Sequence, residues 1–279
     1  DKNGLCITGL KNGNFLIAWA YYGSPKGVYG RIFDPNGNSV TSEFRVNTLV
    51  ADVYYNTSCI WLSDGTFVVA WVGENIQTLA NTWFVRLQRF SKYGIKMGDE
   101  YSVDPGTGSK QGNPYLLDMP DSKFLVLWQN TYDSNDDVHG ARVSYTGTVE
   151  DKFKVNKFEN NFQGHMTAAR LADGGFIVTW SSQNQLPDNK KFDVFARAFD
   201  SNWQKIGSDE FVINTITDEN QYFPAVASFG AGFAVLFLNT FPSSQNYYIR
   251  FFNSLTGESC PSSPCTDPYS KCDTTTGIC

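Results

Sequence analysis

The sequence predicts an all-β fold, a five-bladed β-propeller of four-stranded antiparallel blades, followed by a short disulfide-rich C-terminal tail. Three observations carry this. An apolar run ending in Trp recurs along the chain, a turn signal precedes each copy, and further strand-like segments keep the same order around it. Self-similarity at a regular spacing marks a repeat architecture, and four short antiparallel strands per repeat is the pattern of a propeller blade.

The runs are 14–19 (NFLIAW), 66–71 (TFVVAW), 123–128 (KFLVLW) and 175–180 (GFIVTW), with a worn fifth copy at 232–237 (GFAVLF). Trp19, Trp71, Trp128 and Trp180 are spaced 52, 57 and 52 residues apart. The turns before them are 11–13 (KNG), 63–65 (SDG), 121–122 (DS), 172–174 (ADG) and 230–232 (GAG). Asn-Gly and Asp-Gly between apolar runs tolerate the positive φ of a tight hairpin. A first strand lies upstream at 6–10 (CITGL), 59–62 (CIWL), 114–117 (PYLL), 166–171 (MTAARL) and 224–229 (PAVASF). A third strand containing Arg lies downstream at 28–33 (VYGRIF), 84–90 (FVRLQRF), 138–143 (VHGARV), 194–199 (VFARAF) and 248–252 (YIRFF). The fourth strand is 43–47 (EFRVN), 100–103 (EYSV), 152–156 (KFKVN) and 210–214 (EFVIN), and the fifth unit lacks one. This predicts nineteen strands, a repeat domain over 1–257, a cysteine-rich tail over 258–279, and a ring seam at the termini.

Composition excludes several functions. Aromatics are 15% of the 279 residues and charged residues 18%, which suits packed short strands and not a disordered chain. The net charge of −6 comes with no Lys/Arg cluster, so no nucleic-acid partner is expected. No apolar run of about 18 residues is present, so no membrane span is expected. Four of the six cysteines fall in the polar tail, where a core cannot form; disulfides, and hence an extracellular or cell-surface location, are favoured over zinc. Cys6 and Cys59 read as the same repeat position, and a Cys6–Cys59 bridge is the first choice because it leaves the tail self-contained. A Cys6–Cys260 clasp is the alternative.

The segments 193–200 (DVFARAFD), 207–215 (GSDEFVINT) and 221–227 (QYFPAVA) resemble repeats of long secreted and surface proteins of bacteria and protists. The resemblance covers about residues 3–253 and implies propeller blades in a cell-surface setting, without naming a reaction. The tail is similar to the first part of an EGF-like module, which implies the pairs Cys260–Cys272 and Cys265–Cys279.

Candidate sites follow from residues that do or do not recur. Glu43, Glu100 and Glu210, with Arg31, Arg86, Arg142, Arg197 and Arg250, recur in most units and are expected to form ion pairs or turn hydrogen bonds, because catalysis needs a carboxylate at one place only. The non-repeated acids Asp52, Glu74, Asp188 and Glu219 read as loop residues. His139 and His165 show no metal-ligand or Ser-His spacing, and no cofactor is expected. Asp133, Asn135 and Asp137 place oxygens at alternate positions, a weak calcium candidate without the glycine turn and distal Glu of an EF-hand. Asn56-Thr57-Ser58 is an N-glycosylation sequon. Tyr21, Tyr22 and Trp83 are candidates for stacking on a ligand, while Tyr54, Tyr55, Tyr132 and Trp203 are expected to pack.

The expected function is a non-catalytic extracellular structural or adhesive module, such as a subunit of a surface fibre or filament, and not an enzyme. Its partners would be other copies of itself, extracellular matrix or surface proteins, or glycans. A carbohydrate-binding propeller is the alternative, and a glycosidase-like enzyme stands behind both.

Overall fold

The computed structural model describes residues 2–49, 54–74, 82–105, 110–132, 135–187, 191–217, 219–241 and 244–252. These form nineteen strands, with no helix among the described residues. Three further points are properties of the strand order. Each sequence repeat is an antiparallel meander, successive strands pair with their chain neighbours, and the chain divides into two compact units, Asp1–Val155 and Asn156–Cys279.

In the first unit, β1 (Lys2–Gly9), β2 (Phe15–Tyr21), β3 (Gly27–Phe33) and β4 (Phe44–Arg45) make the first sheet. The second repeat gives β5 (Tyr54–Trp61), β6 (Phe67–Glu74), β7 (Trp83–Phe90) and β8 (Lys96–Ser102). The third gives β9 (Lys110–Met119), β10 (Lys123–Tyr132), β11 (Asn135–Ser144) and β12 (Val149–Lys154). A single parallel bridge, Trp83 to Lys110, joins the second and third meanders. The second unit holds β13 (Gln163–Arg170), β14 (Phe176–Gln183), β15 (Phe192–Phe199) and β16 (Phe211–Val212), then the three-stranded meander β17 (Asn220–Phe229), β18 (Gly232–Phe241) and β19 (Ser244–Phe252).

The second strand of each repeat reads as a continuous apolar run because both its faces are covered. In β6, Phe67, Val69 and Trp71 enter the core shared with Leu16, Ala18 and Ile32 of the first sheet. The alternate residues Val68, Ala70 and Val72 enter the core shared with Phe124, Val126 and Trp128 of the third. Side chains of successive strand residues point to opposite faces, so one strand serves two cores. The Phe that opens the second strand stacks on the aromatic that ends the third. Phe67–Phe90, Phe176–Phe199 and Phe233–Phe252 lie 5.1, 4.6 and 4.8 Å apart and within 12° of parallel.

The turns form as the sequence implies. Gly13, Gly65 and Gly174 take φ of 83°, 88° and 89°, and each donates its N–H to the Leu carbonyl three residues back. Asp64 Oδ1 and Asp173 Oδ1 accept backbone N–H groups within the same turns. The third strand keeps a small residue where the fourth-strand Phe crosses it: a Cβ on Gly30 or Gly140 would meet the ring of Phe44 or Phe153 at 2.9 or 2.7 Å. The strands β4 and β16 stop after two residues because Asn47 and Asn214 take over the next ladder bond. Their Oδ1 atoms accept from Val28 N and Val194 N at 2.8 Å.

The recurring Arg and Glu are structural, as expected. Glu210 and Arg197 pair at 2.9 Å with side chains only 4% and 2% exposed. Glu210 also accepts from the backbone N–H groups of Lys157 and Phe158, in the segment leading into the fourth repeat. Glu100 does the same in the first unit, pairing with Arg86 at 3.4 Å and accepting from Thr48 N and Leu49 N. Each of these two carboxylates therefore ties its own blade to the segment that leaves the preceding one.

Cys6 and Cys59 form a disulfide between β1 and β5, with Cα atoms 5.8 Å apart. One detail of the expectation is corrected. Cys6 lies opposite Ala18, whereas Ser58, not Cys59, lies opposite the equivalent Ala70. Every first strand carries a β-bulge, and Gly4, Asn56, Asn113, His165 and Phe223 occupy it with positive φ. The bulge shifts alignment by one residue between units, which spacing alone does not reveal. Cys260, Cys265, Cys272 and Cys279 lie outside the described residues.

Replacing Glu210 with Ala leaves a buried guanidinium and two backbone N–H groups without their acceptor. We expect Glu210→Ala to lower unfolding free energy by about 3–5 kcal/mol, measured by denaturant titration, while Glu43→Ala, at an exposed position, changes it by less than about 0.5 kcal/mol.

Candidate functional site

Each blade has two unlike ends. One carries the tight turns between first and second strands. At the other, the second strand passes into the third and one blade passes into the next. The non-repeated polar and aromatic residues gather at this second end.

In the first unit it holds a row of aromatic rings. Tyr22 lies 6.0 Å from Tyr55, and Tyr55 lies 5.4 Å from Trp83. All three are half-buried, and Tyr55 and Trp83 rest on the core between the second and third sheets. The Lys110 ammonium stands 5.1 Å from the centre of the Trp83 ring. On the other side of Trp83, Glu74 is its direct partner across β6 and β7. Opposed residues of an antiparallel pair share a face. Glu74, Trp83 and Lys110 thus stand in consecutive strands at one level, with a carboxylate and an ammonium flanking an indole. Neither Glu74 nor Lys110 makes an ion pair with another described residue. The bulges just inside the row join β5 to β9: Asn56 Nδ2 donates to Asn113 Oδ1 at 2.5 Å, and Asn113 Nδ2 donates to Gln129 Oε1 at 2.8 Å.

The same end of the second unit carries another aromatic group. His165 packs between Phe162 at 5.0 Å and Phe223 at 4.4 Å, while Tyr222 meets Phe192 at 4.6 Å. Phe223 is 56% exposed, although its backbone N–H is tied to Ser181 Oγ.

The sequence candidates distribute as follows. Tyr22 and Trp83 come together, with Tyr55, expected only to pack, as the ring between them. Tyr21 does not join the row: it meets Tyr29 edge-on at 6.1 Å and folds its hydroxyl over Gly23. Trp203 lies in the segment between β15 and β16 and packs on Phe176. Glu74 ends a strand and is not in a loop, Glu219 pairs with Lys191 at 3.6 Å, and Asp52 and Asp188 lie outside the described residues. Asp137 pairs with Lys154 at 3.7 Å, Asn135 lies opposite Tyr132, and Asp133 lies outside the described residues. Among the described residues, no group of three or more His, Cys, Asp or Glu could hold a metal. Asn56 is exposed at its bulge, and Thr57 Oγ1 bonds the Gly4 carbonyl. Lys110 and the Phe162–Phe223 group were not legible as site residues; the first lies in no motif, and the second gathers only because the bulge residue before Met166 or Pro224 turns outward.

Neither a family model nor a curated protein matches the chain. Solved structures do match. The α-L-arabinanase of Penicillium chrysogenum complexed with arabinobiose superposes with a TM-score of 0.60 at 13% identity, over 86% of this chain and 77% of that one. The GH93 α-L-arabinofuranosidase of Fusarium graminearum with arabinobiose gives 0.57 at 11%, over 88% and 80%. A thermostable family-43 glycoside hydrolase gives 0.52 at 9%, over 92% and 91%. The fold is that of a β-propeller. These likenesses correct the expectation of a non-catalytic structural or adhesive module, and with it the expectation that the chain is no enzyme, since the propellers it superposes on are named as glycosidases. The argument from recurrence holds for the residues that recur, Glu100 and Glu210. It does not reach Glu74, which occurs once and has no ion-pair partner among the described residues. No helix among the described residues is long and apolar enough to cross a membrane.

His139 lies on β11 against Trp128, 5.7 Å between rings, and its burial pushes its pKa below the ordinary imidazole value, against the opposing pull of Asp137. The folded state therefore binds a proton less readily than the unfolded chain. The stability from neutral His139 is complete above about pH 6.5 and is lost as pH falls below it. We expect His139→Gln to flatten the decline in unfolding free energy between pH 7 and pH 5, followed by urea titration at each pH.

Proposed function

We propose that the chain is a glycosidase-like propeller that binds a polysaccharide along the Tyr22–Tyr55–Trp83 row and uses Glu74 as a proton-transfer carboxylate. The observation that carries this reading is the placement of Glu74 directly across the strand pair from Trp83, at the end of the blades where non-repeated residues gather. Sugar rings present an apolar C–H face that stacks on indole and phenol rings, so a half-buried aromatic row suits a chain of sugars. Glycoside cleavage needs a carboxyl group within reach of the glycosidic oxygen, and a second carboxylate on the other side of the bond. Glu74 supplies the first of these at the platform itself. The names of the superposable enzymes make α-linked L-arabinofuranose the first sugar to try.

The five meanders are read as five blades, one per repeat, and residues 258–279 as a small disulfide module with the pairs Cys260–Cys272 and Cys265–Cys279. The Cys6–Cys59 bridge supports an oxidising, extracellular setting.

The test is release of reducing ends from arabinan and from a panel of other plant, algal and bacterial polysaccharides. We expect Glu74→Gln to lower kcat by 10²-fold or more with little change in binding, and Trp83→Ala to raise KM at least 10-fold. Binding without turnover across the panel overturns the enzymatic reading.

A further inference from the structure

We propose that the Trp83 platform is a subsite for an acidic sugar, a uronate whose ring lies on Trp83 and whose carboxylate is held by Lys110. This rests on the reading of the row as a glycan site and adds the charge class of the sugar it takes.

Lys110 is exposed at the first position of β9, beside Trp83 through the one parallel bridge between the second and third meanders. Its ammonium is drawn to the indole face, 5.1 Å from the ring centre, and no carboxylate among the described residues answers it. A neutral sugar stacked there would leave this cation with the ring and water alone. A carboxylate on the sugar would replace water with a charge-assisted hydrogen bond, which is shorter and stronger than a neutral one. A Lys ammonium is a point charge with three donors on a flexible stem, able to follow a substituent at the rim of a ring that Trp83 holds from below.

Glu74 makes the subsite directional. It flanks Trp83 on the side away from Lys110. A uronate placed the other way round would set two carboxylates together, and like charges at short range oppose that pose. The strand order β6, β7, β9 therefore lays out carboxylate, ring and cation in sequence, and an acidic sugar fits in one orientation only. The second unit offers a contrast: the described groups around Phe223 are aromatic rings and hydroxyl or amide side chains, with no such cation over a ring.

Titration calorimetry of the whole chain with trigalacturonate and with arabinotriose, at 50 mM and 500 mM NaCl, tests the assignment. We expect trigalacturonate to bind at least 10-fold more tightly than arabinotriose at low salt, and the preference to shrink at high salt. Lys110→Gln should abolish the preference and leave arabinotriose affinity within twofold, while Lys110→Arg should keep it; equal thermal midpoints would show that both variants fold. Trp83-dependent binding of both sugars with no charge preference, or a preference that survives in Lys110→Gln, overturns the acidic subsite and leaves the glycan reading standing. Binding of neither sugar, with Trp83→Ala without effect, sinks the glycan reading and this subsite with it.

Discussion

The structure depends on one constraint: the second strand of a blade is apolar on both faces and needs a sheet on each side. A four-stranded meander of about 55 residues cannot meet that need alone. In the first unit β6 meets it by giving Phe67, Val69 and Trp71 to one neighbour and Val68, Ala70 and Val72 to the other. The rest follows from stacking sheets in this way. Polar groups must then be satisfied at the seams between blades, and the carboxylates of Glu100 and Glu210 do this by capping backbone N–H groups of the preceding segment while neutralising an Arg of their own blade. Each is a buried charge tolerable only because its partners are complete.

The repeat made most of the fold legible. Strand order, the Gly-bearing turns and the structural use of the recurrent Arg and Glu could be read from spacing because every blade solves the same packing problem with the same residue types. The five bulges in the first strands could not. They fall on Gly4, Asn56, Asn113, His165 and Phe223, residues of unrelated chemistry whose shared property is a positive φ. Their one-residue shift is why Cys6 and Cys59 looked equivalent and are not, although the bond between them forms.

The candidate site was legible in pieces. Trp83 and Tyr22 stood out as aromatic residues outside the repeat pattern, and Glu74 as an acid without a counterpart in other blades. What joined them was absent from any local pattern: Tyr55 bridges the two rings from a different strand, and Lys110 reaches Trp83 through a single parallel bridge across 27 residues of chain. Such contacts depend on how one meander lies beside the next, and a periodic signal within each meander carries no information about that.

The contrast between Glu100 and Glu74 shows where recurrence stops being informative. Both are single carboxylates in the second meander, some 26 residues apart. Glu100 is almost fully buried, with an Arg and two backbone N–H groups spent on it, so its lone pairs are committed to holding two blades together. Glu74 lies beyond the packed part of the same sheet, where the apolar burial of β6 ends, and faces an indole. A repeated fold assigns its recurring polar residues to the seams and leaves the strand ends free of that duty. Chemistry on such a scaffold therefore belongs to acids like Glu74, whose partners the fold does not supply.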